Sequence, residues 1–258
     1  MNKTFALLLC ALCPALSAAA YRPTPTETAV LDAVLRDELR AFSEGNEGLI
    51  GARLGVSAVR AEDVAHAYAA GKIPNESAVV EKAVLLSGQV MAVSGDVWRG
   101  ASIAFATTHA IAVNAVLDKG LTAGETAIRA GNPQALVCNQ MTVIDAVPTF
   151  QRCQPAIAAA APVVAALESD IASFYRGAPT EERVSILAIN AALYASMLPM
   201  DHGCPDDIDR CRQAIRSIPN SPLRQRVLVL TMQRFRAAGV DLSAYDAIRQ
   251  PGAPASTH

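Results

Sequence analysis

The spacing of apolar residues changes period twice along this chain, from helical to strand-like and back, and this limits the folds it can adopt. Between Thr26 and Glu44, Val30, Leu31, Val34, Leu35, Leu39 and Phe42 recur at helical intervals, with Asp32, Arg36, Asp37 and Arg40 on the other face. That pattern predicts an amphipathic helix. Gly45, Gly48, Gly51 and Gly55 then predict a loop, and Arg60–Ala70 a second helix stopped by Gly71 and Pro74. The glycines do not form a phosphate-binding loop, because no strand precedes them and no Gly-Lys-Ser/Thr follows.

From Ala83 the pattern becomes strand-like. Ala83–Val93, Val97–Thr107, His109–Leu117, Ala135–Ile144 and Pro148–Cys153 read as five strands, with a bend at Gly88 and a turn at Ser94-Gly95-Asp96. Thr122–Ala130 predicts a short helix between the third and fourth strands, ended by Gly131-Asn132-Pro133. This is the order of an OB barrel. Helical spacing returns over Ala156–Phe174, with Pro162 inside it, then over Thr180 to about Met197, Asp206–Ile218 and Ser221 to about Ala238. Glu181 and Glu182 lie where a helix dipole favours acids, and Ser221-Pro222 is an N-cap followed by proline at the first helical position. The expected fold is α+β: N-terminal helices over 21–80, a small five-stranded OB-type β-barrel over 81–154 and a C-terminal helical region over 155–249. Residues 250–258 (QPGAPASTH) are expected to be a disordered tail.

The first twenty residues read as a signal peptide. Lys3 provides a basic start, Phe5–Leu16 an apolar run, and Ala18 and Ala20 an A-x-A cleavage pair before Tyr21. The run is shorter than the ~20 residues that span a bilayer. Leu9 and Leu12, just before Cys10 and Cys13, stand where lipid attachment needs a small residue. The protein is therefore expected to be periplasmic or secreted. No transmembrane segment is expected after cleavage: Ala156–Leu167 comes closest, but Pro162 interrupts it and Glu168 and Asp170 end it. Four cysteines remain, Cys138, Cys153, Cys204 and Cys211, and an even number in an exported chain points to disulfides. Of the three possible pairings, the local one, Cys138–Cys153 with Cys204–Cys211, is the simplest.

Residues 57–154 carry several weak features in a recognisable order. They are a helix (AEDVAHAY, Ala61–Tyr68), a V-x-x-S/T-G-x-V strand (Val84 to Val90) and a Cys on each of the last two strands, Cys138 and Cys153. In this the segment resembles a family of small exported bacterial OB-fold proteins, called tRNA-anticodon-like for their fold. The chain departs from that pattern at Gly71–Ser77, where the family commonly has an Asn-rich, charged connection. The resemblance implies an envelope location and no established catalytic residues. It does not imply tRNA binding, since fold does not dictate function.

Charge argues against nucleic acid independently. The chain carries 22 Lys and Arg against 24 Asp and Glu. Over the barrel, Lys82, Arg99, Lys119, Arg129 and Arg152 face Asp96, Asp118, Glu125 and Asp145, with Trp98, Phe105 and Phe150 as the only rings of Phe, Tyr or Trp. A strand-binding groove needs a positive track with stacked aromatics, so no nucleic-acid partner is expected.

No catalytic residue, cofactor or metal ligand is assigned. His202, Cys204 and Cys211 with an acid would suit a metal, but cysteines seven positions apart do not match a knuckle spacing, and an exported protein would oxidise them. A thiol nucleophile at Cys138 or Cys153 with His109 as base would need an unpaired cysteine. Ser87-Gly88 is not a G-x-S-x-G elbow. His66 reads as a surface or packing residue, and Asp206, Asp207 and Asp209 as capping groups. Arg210, Arg212, Arg216, Arg224, Arg226, Arg234 and Arg236 lie in a stretch with no acid, which suggests a basic face for an acidic partner. The expected function is non-enzymatic: an exported binding or scaffolding protein with an envelope protein partner. The alternatives are an inhibitor or immunity protein for an exported enzyme, or a metal- or thiol-dependent hydrolase built on residues 201–211.

Overall fold

The computed structural model describes residues 20–73, 83–95, 101–109, 111–119, 128–243 and 245–246. The expected leader, Trp98, most of the Thr122–Ala130 helix and the 250–258 tail lie outside them. The fold is α+β, with N-terminal helices, a closed five-stranded β-barrel and C-terminal helices.

The chain begins with α1 (Pro25–Ser43), α2 (Gly48–Leu54), β1 (Ser57–Arg60) and α3 (Ala61–Ala69). The strands β2 (Val84–Ser94), β3 (Ser102–Ala106), β4 (Val113–Leu117), β5 (Pro133–Ile144) and β6 (Val147–Pro155) follow. Last come α4 (Ala156–Tyr175), α5 (Glu182–Ala195), α6 (Ile208–Arg216) and α7 (Pro222–Ala237). A capping box starts α1: Thr24 Oγ1 accepts from Glu27 N while Glu27 Oε2 accepts from Thr24 N. Ser221 caps α7 ahead of Pro222, as the sequence predicted.

Closure depends on the length of β2. Its first half pairs antiparallel with β5, from Val84↔Cys138 to Gln89↔Pro133, and its second half with β3, from Gln89↔Ala106 to Ser94↔Ser102. A bulge lies between Val90 and Ala92. From β3 the sheet continues to β4 antiparallel, to β6 parallel and to β5 antiparallel, completing the ring. β1 runs parallel to the first half of β2, on the edge opposite β5 and along the stretch that β3 does not reach. At the bend, Gly88 allows a close approach: a Cβ there would stand 2.8 Å from Phe105 Cδ1 and 3.0 Å from the Ala61 methyl.

Alternate residues of the strands fill the barrel. Leu86, Val90, Ile103, Phe105, Val113, Ala115, Leu136 and Phe150 are buried there, and Ala61, Val64 and Ala65 of α3 pack against them. A second core joins the two ends of the chain. Val30, Leu31 and Leu35 of α1 pack with Leu167 and Phe174 of α4, Ile189 of α5 and Phe235 of α7. A third cluster couples barrel to helices through Phe42, Ile50, Val56, Leu85, Val137 and Ala160.

Three local expectations are corrected. Gly48 and Gly51 were expected in a loop but belong to α2, whose Ile50 is buried in the third cluster. Tertiary packing here outweighs poor helix propensity. β1 was not anticipated, since four residues are too few for a period to emerge. Finally, α4 runs 20 residues straight through Pro162, with a mean hydropathy of 1.5 in its most apolar window, so its length and composition suffice to cross a membrane. In this fold Ala156, Ala159 and Ala160 of α4 pack on the barrel side, and Leu167, Ile171 and Phe174 pack in the helical core.

Candidate functional site

Both local cysteine pairs stand at disulfide distance. Cys138 and Cys153 are directly opposed on β5 and β6, with Cα atoms 4.1 Å apart. Cys204 and Cys211 have Cα atoms 4.4 Å apart, and their bond ties the 201–207 loop to the first turn of α6. Asp207 caps that helix, its Oδ1 accepting from Asp209 N and Arg210 N. Arg36 of α1 donates to the carbonyls of Cys204 and Pro205 at 3.0 and 3.3 Å. The buried His202 turns its Nδ1 to Cys204 N at 3.0 Å. The densest set of reactive side chains in the sequence is thus occupied by a disulfide, a cap and a loop bond. Among the described residues no three His, Cys, Asp or Glu side chains group to hold a metal ion.

A ring of four charges pins α6 to α1. Arg40 donates to Asp37 at 2.6 Å and meets Asp209 at 3.0 Å, while Arg212 donates to Asp209 at 2.6 Å and meets Asp37 at 3.5 Å. Two cations and two anions alternate, so the ring is electrically self-contained. Hydrogen bonding to Asp37, and then to Asp209, raises the pKa of Arg40 further above its ordinary value.

Beside this ring lies a cleft of about 260 Å³. Ala33 and Val34 of α1, Tyr194 of α5 and Ile208 and Ile215 of α6 form its apolar wall, and Asp37, Glu38, Arg212 and Arg216 also line it. The acids are engaged: Asp37 in the ring, and Glu38 Oε2 accepting from Leu49 N at 2.9 Å. Arg224 reaches across from α7, its guanidinium carbon 5.7 Å from the centre of the Tyr194 ring.

The structure separates the seven arginines singled out by the sequence. Acids outside the stretch meet four of them. Arg210 pairs with Asp201 at 3.3 Å, Arg212 joins the ring, Arg234 pairs with Glu27 at 2.9 Å, and Arg236 pairs with Asp246 at 2.9 Å. Arg216, Arg224 and Arg226 have no carboxylate within ion-pair distance among the described residues.

The outer face of α7 continues from Arg224. Leu223, Val229 and Leu230 are 55, 47 and 58% exposed, although the inner face is already apolar through Met232 and Phe235. Pro222, Gln225, Arg226 and Gln233 complete a shallow groove with Val229 and Leu230.

Two further clusters escaped the sequence reading because their members are far apart in the chain. The Glu62 carboxylate of α3 accepts from the backbone N and the hydroxyl of Thr108, and stands 3.7 Å from His109 Nε2. The Thr108 bonds hold its pKa below the usual carboxylate range. The His66 and His109 rings lie 5.3 Å apart. In the helical core, Tyr21 stacks on Phe235 and donates its hydroxyl to Glu27 at 2.9 Å, and Arg234 donates to both. Burial, and then the bond to Glu27, raises the pKa of Tyr21.

No family model matches the chain, and no curated protein or solved structure is significantly similar to it.

Proposed function

We propose that this is an exported, non-enzymatic protein-binding protein of the bacterial envelope, whose partner docks on the outer face of α7. The observation that carries this reading is the two-sided apolarity of that helix. Met232 and Phe235 meet the core, while Leu223, Val229 and Leu230 stand in water beside the unpaired Arg226. A surface helix ordinarily presents a polar outer face, and apolar patches rimmed by charge mark contact surfaces. Arginine at such a rim favours an acidic partner.

Export is supported by the leader-like first twenty residues and by two disulfide-distance cysteine pairs, which suit an oxidising compartment. The closed barrel, its α3 cover and the Cys138–Cys153 pair agree with the resemblance to exported OB-fold proteins.

The test is site-specific photo-crosslinking in intact cells, with the crosslinker at Leu230 and a control at Glu168 on the exposed side of α4. One discrete adduct is expected from Leu230 and none from Glu168. Arg226→Glu with Leu223→Asp should cut adduct yield about tenfold while leaving the melting temperature unchanged. Equal adducts from both positions, or a yield indifferent to both substitutions, would refute the reading.

A further inference from the structure

The lining of the groove on the outer face of α7 follows one spacing rule. Its residues are Pro222, Gln225, Arg226, Val229, Leu230 and Gln233, all exposed and all from this one helix. Pro222, Gln225, Arg226 and Val229 stand at i, i+3, i+4 and i+7, and so do Arg226, Val229, Leu230 and Gln233. Four residues in that relation form the hole that receives one side chain of a facing helix. The groove is therefore two such holes in succession, with Arg226 and Val229 common to both. Their offset of four residues is about 6 Å along the helix axis. Side chains at i and i+4 of a second helix are separated by a similar ~5–6 Å.

The charge of this face has one sign. No acid lines the groove, and α7 contains none. Of its four arginines, Arg234 and Arg236 are matched by Glu27 and Asp246, and Arg224 lies over the Tyr194 ring. Arg226 lines both holes and has no carboxylate within ion-pair distance among the described residues. Two copies of the chain meeting through α7 would bring two sets of arginines together with no acid on either helix to separate them. A partner strand gains no ladder here, because a helix closes its backbone hydrogen bonds internally.

We propose that α7 is one half of a two-helix interface with an acidic helix of the partner. Its two holes take successive apolar side chains of that helix, three or four residues apart, and Arg226 takes a carboxylate beside them. The inference rests on the protein-binding reading and deepens it by naming the partner's structure and charge.

Peptides of about 20 residues, long enough to be helical alone, test it. One carries leucines at i and i+4 flanked by glutamates, a second has lysines for the glutamates, and a third has a central proline that breaks the helix. Fluorescence anisotropy is read with the protein purified from cells expressing the full chain. The glutamate peptide should bind with a dissociation constant below about 1 mM, and the other two at least tenfold more weakly. Val229→Lys, which sets a long charged side chain between both holes, should weaken the glutamate peptide at least tenfold. Arg226→Gln should weaken it about fivefold, and neither substitution should lower the melting temperature. Equal binding of the glutamate and lysine peptides, undiminished binding of the proline peptide, or no binding of any at 1 mM would overturn the proposal. A dimer in analytical ultracentrifugation that Val229→Lys dissolves would overturn it by assigning the face to a second copy. Sedimentation with phosphatidylglycerol vesicles that Arg226→Gln abolishes would do so by assigning it to a lipid surface. Failure of the peptides with the Leu230 adduct intact would remove the helical partner alone, whereas loss of the adduct as well would remove the protein-binding reading.

Discussion

Replacing Glu27 by glutamine removes a buried negative charge without changing the volume of the core. Glu27 is 2% exposed and accepts from the Tyr21 hydroxyl at 2.9 Å, from Thr24 N at 2.8 Å and from Arg234 at 2.9 Å. Hydrogen bonds to a charged group contribute about 1.5–3 kcal/mol each. Arg234 is 44% exposed, so its ion pair is screened and adds only about 0–1 kcal/mol beyond its hydrogen bond. Glutamine can still accept through its carbonyl, but its amide then faces Tyr21 or Arg234 as donor against donor. The expected loss is about 2–3 kcal/mol, or roughly 5–10 °C in melting temperature for a chain of this size. Arg234→Met should cost about 1–2 kcal/mol, because the carboxylate keeps two donors. The double variant should lose about 1 kcal/mol less than the sum of the two. Urea denaturation of the four proteins measures this cycle. A Glu27→Gln protein within about 0.5 kcal/mol of its parent, or strict additivity, would refute a coupled, charge-dependent cluster.

Three further outcomes are expected. Burial raises the pKa of both Tyr21 and Tyr175, so the folded state holds these protons more tightly than the unfolded chain. Their contribution to stability is complete below about pH 10 and is lost progressively above it, and phenolate absorbance should show both ionising only as the protein unfolds. Thr108→Val removes one of the two bonds holding Glu62 low; its pKa, followed by NMR, should rise toward the usual carboxylate range, shrinking a contribution otherwise lost only as pH falls below that range. A protein lacking residues 1–20 should show no free thiols when denatured without reductant. Cys204→Ser with Cys211→Ser should cost about 2 kcal/mol, and Cys138→Ser with Cys153→Ser about 3 kcal/mol, in the chain-entropy account of loops of these lengths.

The α7 face also explains why the arginine-rich stretch misleads when read linearly. Charge counted along the chain treats Arg210 to Arg236 as one basic patch, whereas the fold brings Asp201, Asp37, Glu27 and Asp246 to four of its members. What remains is smaller and more scattered: Arg216 at a cleft, Arg224 over the Tyr194 ring and Arg226 beside an apolar face.

Features whose causes are local could be read from the residues. The caps at Asp207 and Ser221 depend on neighbours two or three positions away. The five barrel strands and four C-terminal helices followed from period and turn residues, and the cysteine pairs are the simplest of the three pairings the sequence left open. α2 and β1 were not legible, because a seven-residue helix and a four-residue strand are stabilised by Ile50 reaching a distant core and by pairing with β2. The sharing of one core by α1 and the C-terminal helices, the ion-pair ring, the cleft, and the meeting of His66 with His109 depend on contacts between residues far apart in sequence. The sequence alone therefore determined the longer helices and strands and the caps that start them, since those energies arise within a few residues of each position. Only the tertiary structure decided which charges are neutralised and which side chains meet, because Coulomb and packing forces act across space regardless of order along the chain.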